Sequence, residues 1–444
     1  MDSESKQIIE TSLKKLLNYC QKNNWAGYDP YDALNSRVFP YIPFVQNRIG
    51  RLIFTQLMKR SPINFRPLLL IPKSENPKAI ALFLMAFLKL ERVGLLKNRD
   101  LITLMTQKLI NLRSPSNSSN LSREMRPAPC SVEATTSGRL FHRDPNNPNN
   151  PSNPNNPSNP YFCWGYNFDW QARDGFVLRY TPNIICTTFA GNALLDAYEK
   201  FKEKSCLEMA ISSGNFILKG LNITEYKEGS CFSYTPSDHG QIHNANLLGA
   251  AFLARLYSLT DNKDFYNYAL SATKFSVSKQ NQDGSWPYGE SPKQKWIDNF
   301  HTGYNLNALN KISKYIGNNF SDSIQKGFLF YKKHFLMNGN LVKYYHNRTY
   351  PIDIHSIAQS IITLVELKDL NENNLNQAVS LCLWAIKNMQ NAEGYFYYQK
   401  GRFLRKGISY MRWSQAWMLY ALTELELLSH NRGGDINING SGVT

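Results

Sequence analysis

Apolar residues recur at three- and four-residue spacing along almost the whole chain, broken by short polar turns, and this pattern predicts a protein built of helices. From residue 184 onward the apolar faces cover Ile184 to Tyr198, Ser205 to Leu218, His243 to Leu259, Phe265 to Lys279 and His301 to Ile316. They continue over Ser321 to Phe335, Asp353 to Leu367, Leu375 to Asn388 and Arg412 to Leu428. Upstream, the same period covers Lys6 to Cys20, Pro77 to Arg92 and Leu101 to Leu112, and Val45 to Lys59 reads as an accessory helix.

Gly175, Gly229, Gly284, Gly339 and Gly394 punctuate this pattern, spaced by 54 residues and then three times by 55. A period of that length marks a repeated supersecondary unit. Each glycine is followed within six residues by an aromatic and then by a helix that opens with polar residues, so the unit is a helical hairpin. The stretches 101–112 and 184–198 form such a hairpin around Gly175, and 6–20 with 77–92 form another across a loop containing Gly27. Six hairpins bury both faces of their helices by closing into a ring, which predicts an all-α fold, an (α/α)6 toroid, as one domain over residues 1–430. The Asn- and Pro-punctuated tract 114–160 is expected to be a disordered insertion, and 431–444 a flexible tail.

Composition narrows the setting. Seven cysteines without CxxC spacing favour a reducing compartment, and neither a signal peptide nor a membrane-spanning run is visible, so a cytoplasmic location is expected. With 50 basic against 34 acidic residues the net charge is +16, which suggests anionic partners. The basic residues are spread and carry no zinc-finger, RRM or helix-turn-helix signature, which argues against nucleic acid. Oligomeric state is left open.

In a ring of hairpins the inner helices run the same way, so their N-termini meet at one mouth together with the post-glycine loops. The residues entering these helices are unusually polar. His243, Asn244, His301, Tyr304, Asn305, Asp353, His355, Gln359, Arg412 and Trp413 recur at matching repeat positions and are expected to line the cavity. Capping is the competing explanation for Asp298, Asp353 and Thr187. Tyr234 and Trp286 are candidates to stack on a ligand with apolar faces and polar edges, as sugars have, although covering the hairpin turn explains Trp286 equally well and explains Phe176 better. Two aromatic loops should fold over the same mouth. The first supplies Tyr28, Asp29, Asp32 and Arg37, the second Trp164, Asp169 and Arg173.

The loop Trp25-Ala-Gly-Tyr-Asp-Pro-Tyr-Asp-Ala-Leu-Asn35, the loop Trp164-Gly-Tyr166 to Asp169-Trp170, and the helix Asp353-Ile-His355 to Ala358-Gln359 resemble bacterial VpsJ-type polysaccharide-biosynthesis proteins. Gln280-Asn-Gln-Asp283-Gly284-Ser-Trp286 and Gln390-Asn391-Ala-Glu393-Gly394-Tyr395 look like the repeats of terpenoid-cyclase and prenyltransferase toroids. The resemblance implies an α/α toroid of the six-hairpin glycosidase or terpenoid-cyclase-like kind and a part in surface-polysaccharide production, without naming a reaction.

Three classes of function follow. The first is carbohydrate-active chemistry on an anionic, uronate-containing oligosaccharide or polysaccharide. Proton abstraction beside the carboxylate, by a lyase or an epimerase, would use His301 or His243 with Tyr304 as base and acid, and Arg412, Asn244 or Arg405 on the carboxylate. Hydrolysis would need two carboxylates among Asp29, Asp32, Asp169, Asp298 and Asp353. The second is a non-catalytic toroid that binds glycan or protein. Terpenoid cyclisation is the third and is disfavoured, because neither DxDD nor DDxxD occurs. No cofactor is called for, and no metal is expected, since only Cys231 accompanies Asp298, His301 and His355 as a loop ligand for zinc.

Overall fold

The computed structural model describes residues 1–42, 46–97, 99–114, 161–171, 175–337 and 340–431. Of the expected insertion and tail, 115–160 and 432–444 therefore lie outside the described residues, as do Arg173 and Gly339, while Ser114 N–H donates to Cys163 O and Asn431 ends the last helix.

Six helices form an inner ring: α3 (Pro77–Arg92), α5 (Ile184–Phe201), α7 (His243–Thr260), α9 (Asn299–Ile316), α11 (Ile354–Glu366) and α13 (Trp417–Asn431). Each packs on the next, and α13 packs back on α3, so the ring is closed. Outside it stand α1 (Ser3–Lys22), α4 (Arg99–Asn111), α6 (Lys204–Lys219), α8 (Lys263–Ser278), α10 (Ser321–Phe335) and α12 (Asn374–Met389). The accessory helix α2 (Arg48–Arg60) starts three residues later than the sequence suggested. The (α/α)6 toroid is thus the observed fold.

Burial explains which helices are inner. Every residue of α3 from Pro77 to Leu88 is buried, as expected of a helix enclosed on all sides. Outer α8 buries only one stripe, including Phe265, Ala269, Ala272 and Ser276, at the spacing of a single helix face. Inner α5, α7 and α9 end in left-handed residues, Lys202, Asp261 and Gly317, whose N–H groups close the last turn on Tyr198, Tyr257 and Ser313. One expected helix is irregular at its start: Met411–Ala416 forms a π turn before α13 begins.

The post-glycine segments are not purely turns. They form short antiparallel ladders, Ile223–Tyr226 with Gly229–Phe232 being the longest, and a three-stranded one joins Ile352–Asp353, Gln399–Lys400 and Arg405–Lys406.

Three of the repeat glycines do the same mechanical job. Gly229, Gly284 and Gly394 have φ of +146°, +89° and +101°. A Cβ on each would fall 2.1, 2.2 and 2.4 Å from the carbonyl oxygens of Ser271, Lys326 and Lys15, each on the outer helix of the next hairpin. Beside two of them a glutamine ties the turn to that same helix. Gln280 Nε2 donates to Gly284 O and Ser323 O, and Gln390 Nε2 to Gly394 O and Ser12 O. Because α1 is the neighbour of the last hairpin, the contact at Gly394 closes the ring. Gly175 departs from the pattern: a Cβ there would meet nothing within 4 Å. Phe176 also departs from its expected packing role, being 43% exposed with the Arg51 guanidinium 4.7 Å over its ring.

Gly394→Ala should cost roughly 2–4 kcal/mol, since it combines an unfavourable φ with a backbone collision that no rotamer relieves. Gly175→Ala should be nearly neutral. Urea unfolding of both variants checks the pair.

Candidate functional site

The N-termini of the inner helices converge as predicted by the hairpin geometry, and the aromatic and charged side chains there form one connected cluster. Two groups in it are arranged for proton transfer. Asp298 caps α9 by accepting the His301 N–H, and its Oδ2 lies 2.7 Å from His301 Nδ1 and 3.0 Å from Trp296 Nε1. An aspartate on Nδ1 fixes the proton there and leaves the Nε2 lone pair free. Among the described residues Nε2 forms no hydrogen bond, and the imidazole is 20% exposed beneath Tyr288. In the second group Tyr304 Oη stands 2.7 Å from His355 Nε2 and 3.4 Å from Lys78 Nζ. The His301 and Tyr304 rings are 6.1 Å apart.

Burial sets the charge of this second group. It is the largest influence on His355, Lys78 and Tyr304, disfavouring each charged form. His355 is held well below the ordinary histidine range, with Lys78, Arg412 and His301 adding to the effect. Lys78 is brought down to about 7, with Arg412 contributing. Its ammonium is boxed by Phe189, Tyr304 and Trp417 at 4.3, 5.1 and 5.0 Å. His355 stacks between Phe300 and Trp417, at 4.6 and 4.7 Å, and its Nδ1 is buried without a hydrogen-bond partner.

The candidate carboxylates are all engaged. Asp29 accepts two hydrogen bonds from Arg412, at 2.7 and 2.8 Å, and so occupies the guanidinium expected to hold a substrate carboxylate. Asp32 pairs with fully buried Arg66 at 2.8 Å and accepts the Asp29 N–H. Asp169 pairs with Arg179 at 2.8 Å. Asp353 caps α11 through the His355 N–H and accepts from Trp413 Nε1 and Gln399 Nε2. Burial pushes its carboxyl up to about 6 against those hydrogen bonds. His243 has neither nitrogen free: Nε2 is 2.9 Å from Glu290 Oε1 and Nδ1 3.4 Å from Ser276 Oγ. The His243 hydrogen bond in turn holds Glu290 down to about 2.

Other candidates divide between wall and scaffold. Tyr234 meets Tyr166 at 3.0 Å between hydroxyls, and Trp413 sits against Phe300, His355 and Tyr31. Asn244 and Asn305 are buried, each with an Oδ1 lacking a partner. Gln359 is buried between α11 and α9, its amide on Thr363 and its stem at the position a Cβ on Gly303 would need. Trp286 and Trp164 are enclosed, their indole N–H groups donating to Ser276 O and Leu109 O, so neither stands on the rim. Thr187 does not cap α5; Asn183 does, and Thr187 Oγ1 accepts the Trp164 N–H. Arg37 is exposed, as is Arg405, which lies over Tyr397. Tyr28 lines a different cleft of about 370 Å³ on the closing seam, with Tyr19, Lys73, Glu393, Tyr395 and Ser409. No histidine lines that cleft.

Sequence reading missed Lys78, Arg66 and Lys59. Lys59 reaches the mouth from α2, its Nζ donating to Tyr31 Oη at 2.5 Å and lying 5.7 Å from the Trp413 ring. Lys78 sits one residue after the α3 start, a position where the sequence offered a signal: a lysine in an otherwise apolar stretch of an inner helix. Among the described residues no group of histidine, cysteine, aspartate and glutamate could hold a metal ion.

No family model matches this chain, and no curated protein does. Solved structures match its fold. A UGL variant with dGlcA-Glc-Rha-Glc aligns at 11% identity and a TM-score of 0.56, over 95% of this chain and 96% of that one. A GH76 α-mannanase from Bacteroides thetaiotaomicron aligns at 10% identity and 0.53, over 80% and 87%. Cellobiose 2-epimerase from Bacillus thermoamylovorans aligns at 11% and 0.53, over 80% and 88%. The shared feature is the α/α toroid fold.

Lys78 generates a pH test. Between its folded value of about 7 and the ordinary lysine value near 10.4, the unfolded chain binds a proton that the folded protein does not. Stability should therefore rise with pH across that window, and the penalty is complete below about pH 7. Lys78→Met should stabilise the protein by several kcal/mol at pH 6, with the gain shrinking toward pH 10. Urea midpoints of both proteins at the two pH values measure it.

Proposed function

We propose that the protein is a carbohydrate-active enzyme that moves a proton on an anionic, uronate-containing oligosaccharide at the mouth of the toroid. The observation that carries this reading is the Asp298–His301 dyad, with an open Nε2 on a partly exposed imidazole, set edge-to-face 6.1 Å from the ring of Tyr304 in the buried Tyr304–His355 pair. In this reading His301 takes the proton alpha to the sugar carboxylate, and Asp298 stabilises the imidazolium that forms. Tyr304, kept neutral by burial, is the hydroxyl that returns a proton, and Lys78 and His355 hold its orientation. Lys59 beside Tyr31, with Lys406 near it on the Gln399 side chain, supplies positive charge for the carboxylate. Tyr31, Tyr166, Tyr234, Tyr288 and Tyr344 are half-buried around the mouth and offer faces for sugar rings.

Epimerisation or lyase-type elimination fits better than hydrolysis, because each mouth carboxylate is already bonded to a cation, a cap or an indole. The fold neighbours include enzymes of both kinds, an epimerase and a mannanase, and so agree with either. The loops around Trp25, Trp164 and Asp353 support a role in surface-polysaccharide production through their VpsJ-type resemblance. Buried cysteines that form no disulfide among the described residues suit the cytoplasm as its site.

Wild type and His301→Ala should be incubated with a panel of uronate-containing oligosaccharides, followed by NMR for new unsaturation, inverted stereocentres or solvent deuterium at the carbon alpha to the carboxylate. His301→Ala should lower kcat by about 10²–10⁴ with little change in KM. A glycan that binds but is never altered would turn the reading to a non-catalytic binding toroid, and no binding at all would remove it.

A further inference from the structure

The accessory helix α2 carries an outward face that the ring does not use. Its inward residues Phe54 and Met58 pack with Ala33, Leu69 and Ile71 in a small cluster apart from the main core, and Thr55 is buried beside them in the helix. On the other side Ile49, Ile53 and Leu57 recur at four-residue spacing and are 68, 54 and 65% exposed. The loop that follows adds exposed Ile63, Phe65 and Leu68, and packs on the same small cluster through its neighbouring residues Leu69 and Ile71. Side chains so apolar and so exposed form a patch that water does not favour.

Charge along this segment is of one sign, although Glu393 lines a cleft with Pro62, Asn64 and Lys73 at its edge. From Ala33 to Ser74 the sequence contains seven basic residues and no acidic one. Arg66 is consumed by Asp32, and Arg51 and Lys59 turn inward to Gln171 and Tyr31. Arg37, Arg48, Arg60 and Lys73 are exposed on the same segment, Lys73 with its Nζ donating to Asn23 Oδ1 at 3.0 Å. An amphipathic helix with an aliphatic stripe and cationic flanks suits the boundary of an anionic bilayer, where the stripe enters the acyl region and the cations meet phosphate. A protein interface would instead concentrate tryptophan, tyrosine and arginine at its centre and deplete isolated charge there.

We infer that α2 and the loop after it dock the protein onto an anionic phospholipid surface, lying in the interface without crossing it. No described helix is long and apolar enough to span a membrane. Lys59 ties the same helix to Tyr31 at the mouth, so docking would hold the mouth beside the lipid headgroups. The inference stands independently of the reaction proposed above.

Flotation of the full chain tests it, with vesicles of phosphatidylcholine alone and vesicles containing added phosphatidylglycerol. The protein should float with the anionic vesicles, lose binding as salt is raised, and leave neutral vesicles largely unbound. The pair Ile53→Asp with Leu57→Asp should weaken anionic-vesicle binding about tenfold or more. The pair Arg48→Glu with Arg60→Glu should weaken it about fivefold or more per residue, and provides the test if the first pair impairs folding by circular dichroism. Wild type that ignores anionic vesicles overturns the inference, as does a folded variant of either pair that binds like wild type. Sedimentation that shows a wild-type dimer dissociated by the aspartate pair, with no vesicle binding, would assign the face to a second copy and also overturn it.

Discussion

The toroid depends on one contact made repeatedly, a glycine backbone laid against a carbonyl of the neighbouring outer helix. At Gly229, Gly284 and Gly394 the approach leaves no room for even a methyl group. Where Gln280 and Gln390 add amide hydrogen bonds to the same helices, each hairpin is fixed to the next in register as well as in distance. Applied between hairpins this contact stacks them. Applied by Gly394 and Gln390 to α1, it joins residues separated by almost the whole chain and closes the ring. The seam is reinforced on the mouth side, where Met411 N–H donates to Tyr28 O and Arg412 binds Asp29.

Closure sets the charge states of the side chains at the inner-helix N-termini by burying them. Lys78, Tyr304, His355 and Arg412 would be an ordinary polar surface on an open superhelix. Inside the ring burial keeps His355 neutral and lowers Lys78 toward neutrality, while Arg412 stays charged because Asp29 outweighs its desolvation. His301 escapes this enclosure at the edge of the mouth and retains an open nitrogen. The cluster therefore has a buried inner part of restrained charge and a partly exposed outer part where His301 Nε2 has no hydrogen bond among the described residues.

The same polar residues serve both scaffold and site. Asn246 and Gln415, which enter α7 and the π turn, hold the backbones of Phe232 and Phe396 in their turns. On α9, Asn299 bonds Ser360 and Tyr331, while His301 two residues on is partly exposed. A repeat architecture can vary one position for chemistry because its neighbours keep the hairpin in place.

Helix periodicity and the near-55-residue glycine spacing were enough to place the hairpins, because both reflect local geometry: the helical repeat of buried positions, and a positive-φ turn at Gly229, Gly284 and Gly394. Pro77–Arg92 and Ser321–Phe335 coincide with the helices read from the pattern. The convergence of His301, Tyr304, His355, Asp353, Arg412 and Trp413 followed from topology, since parallel inner helices must bring their N-termini to one end. Their partners did not follow. That Asp29 takes Arg412, that Asp32 takes Arg66, and that Lys78 joins Tyr304 are contacts between residues 383, 34 and 226 positions apart. Periodicity says which face of a helix is buried but not which distant side chain meets it, so only the closed ring decided which charges are spent on each other and which nitrogen is left free.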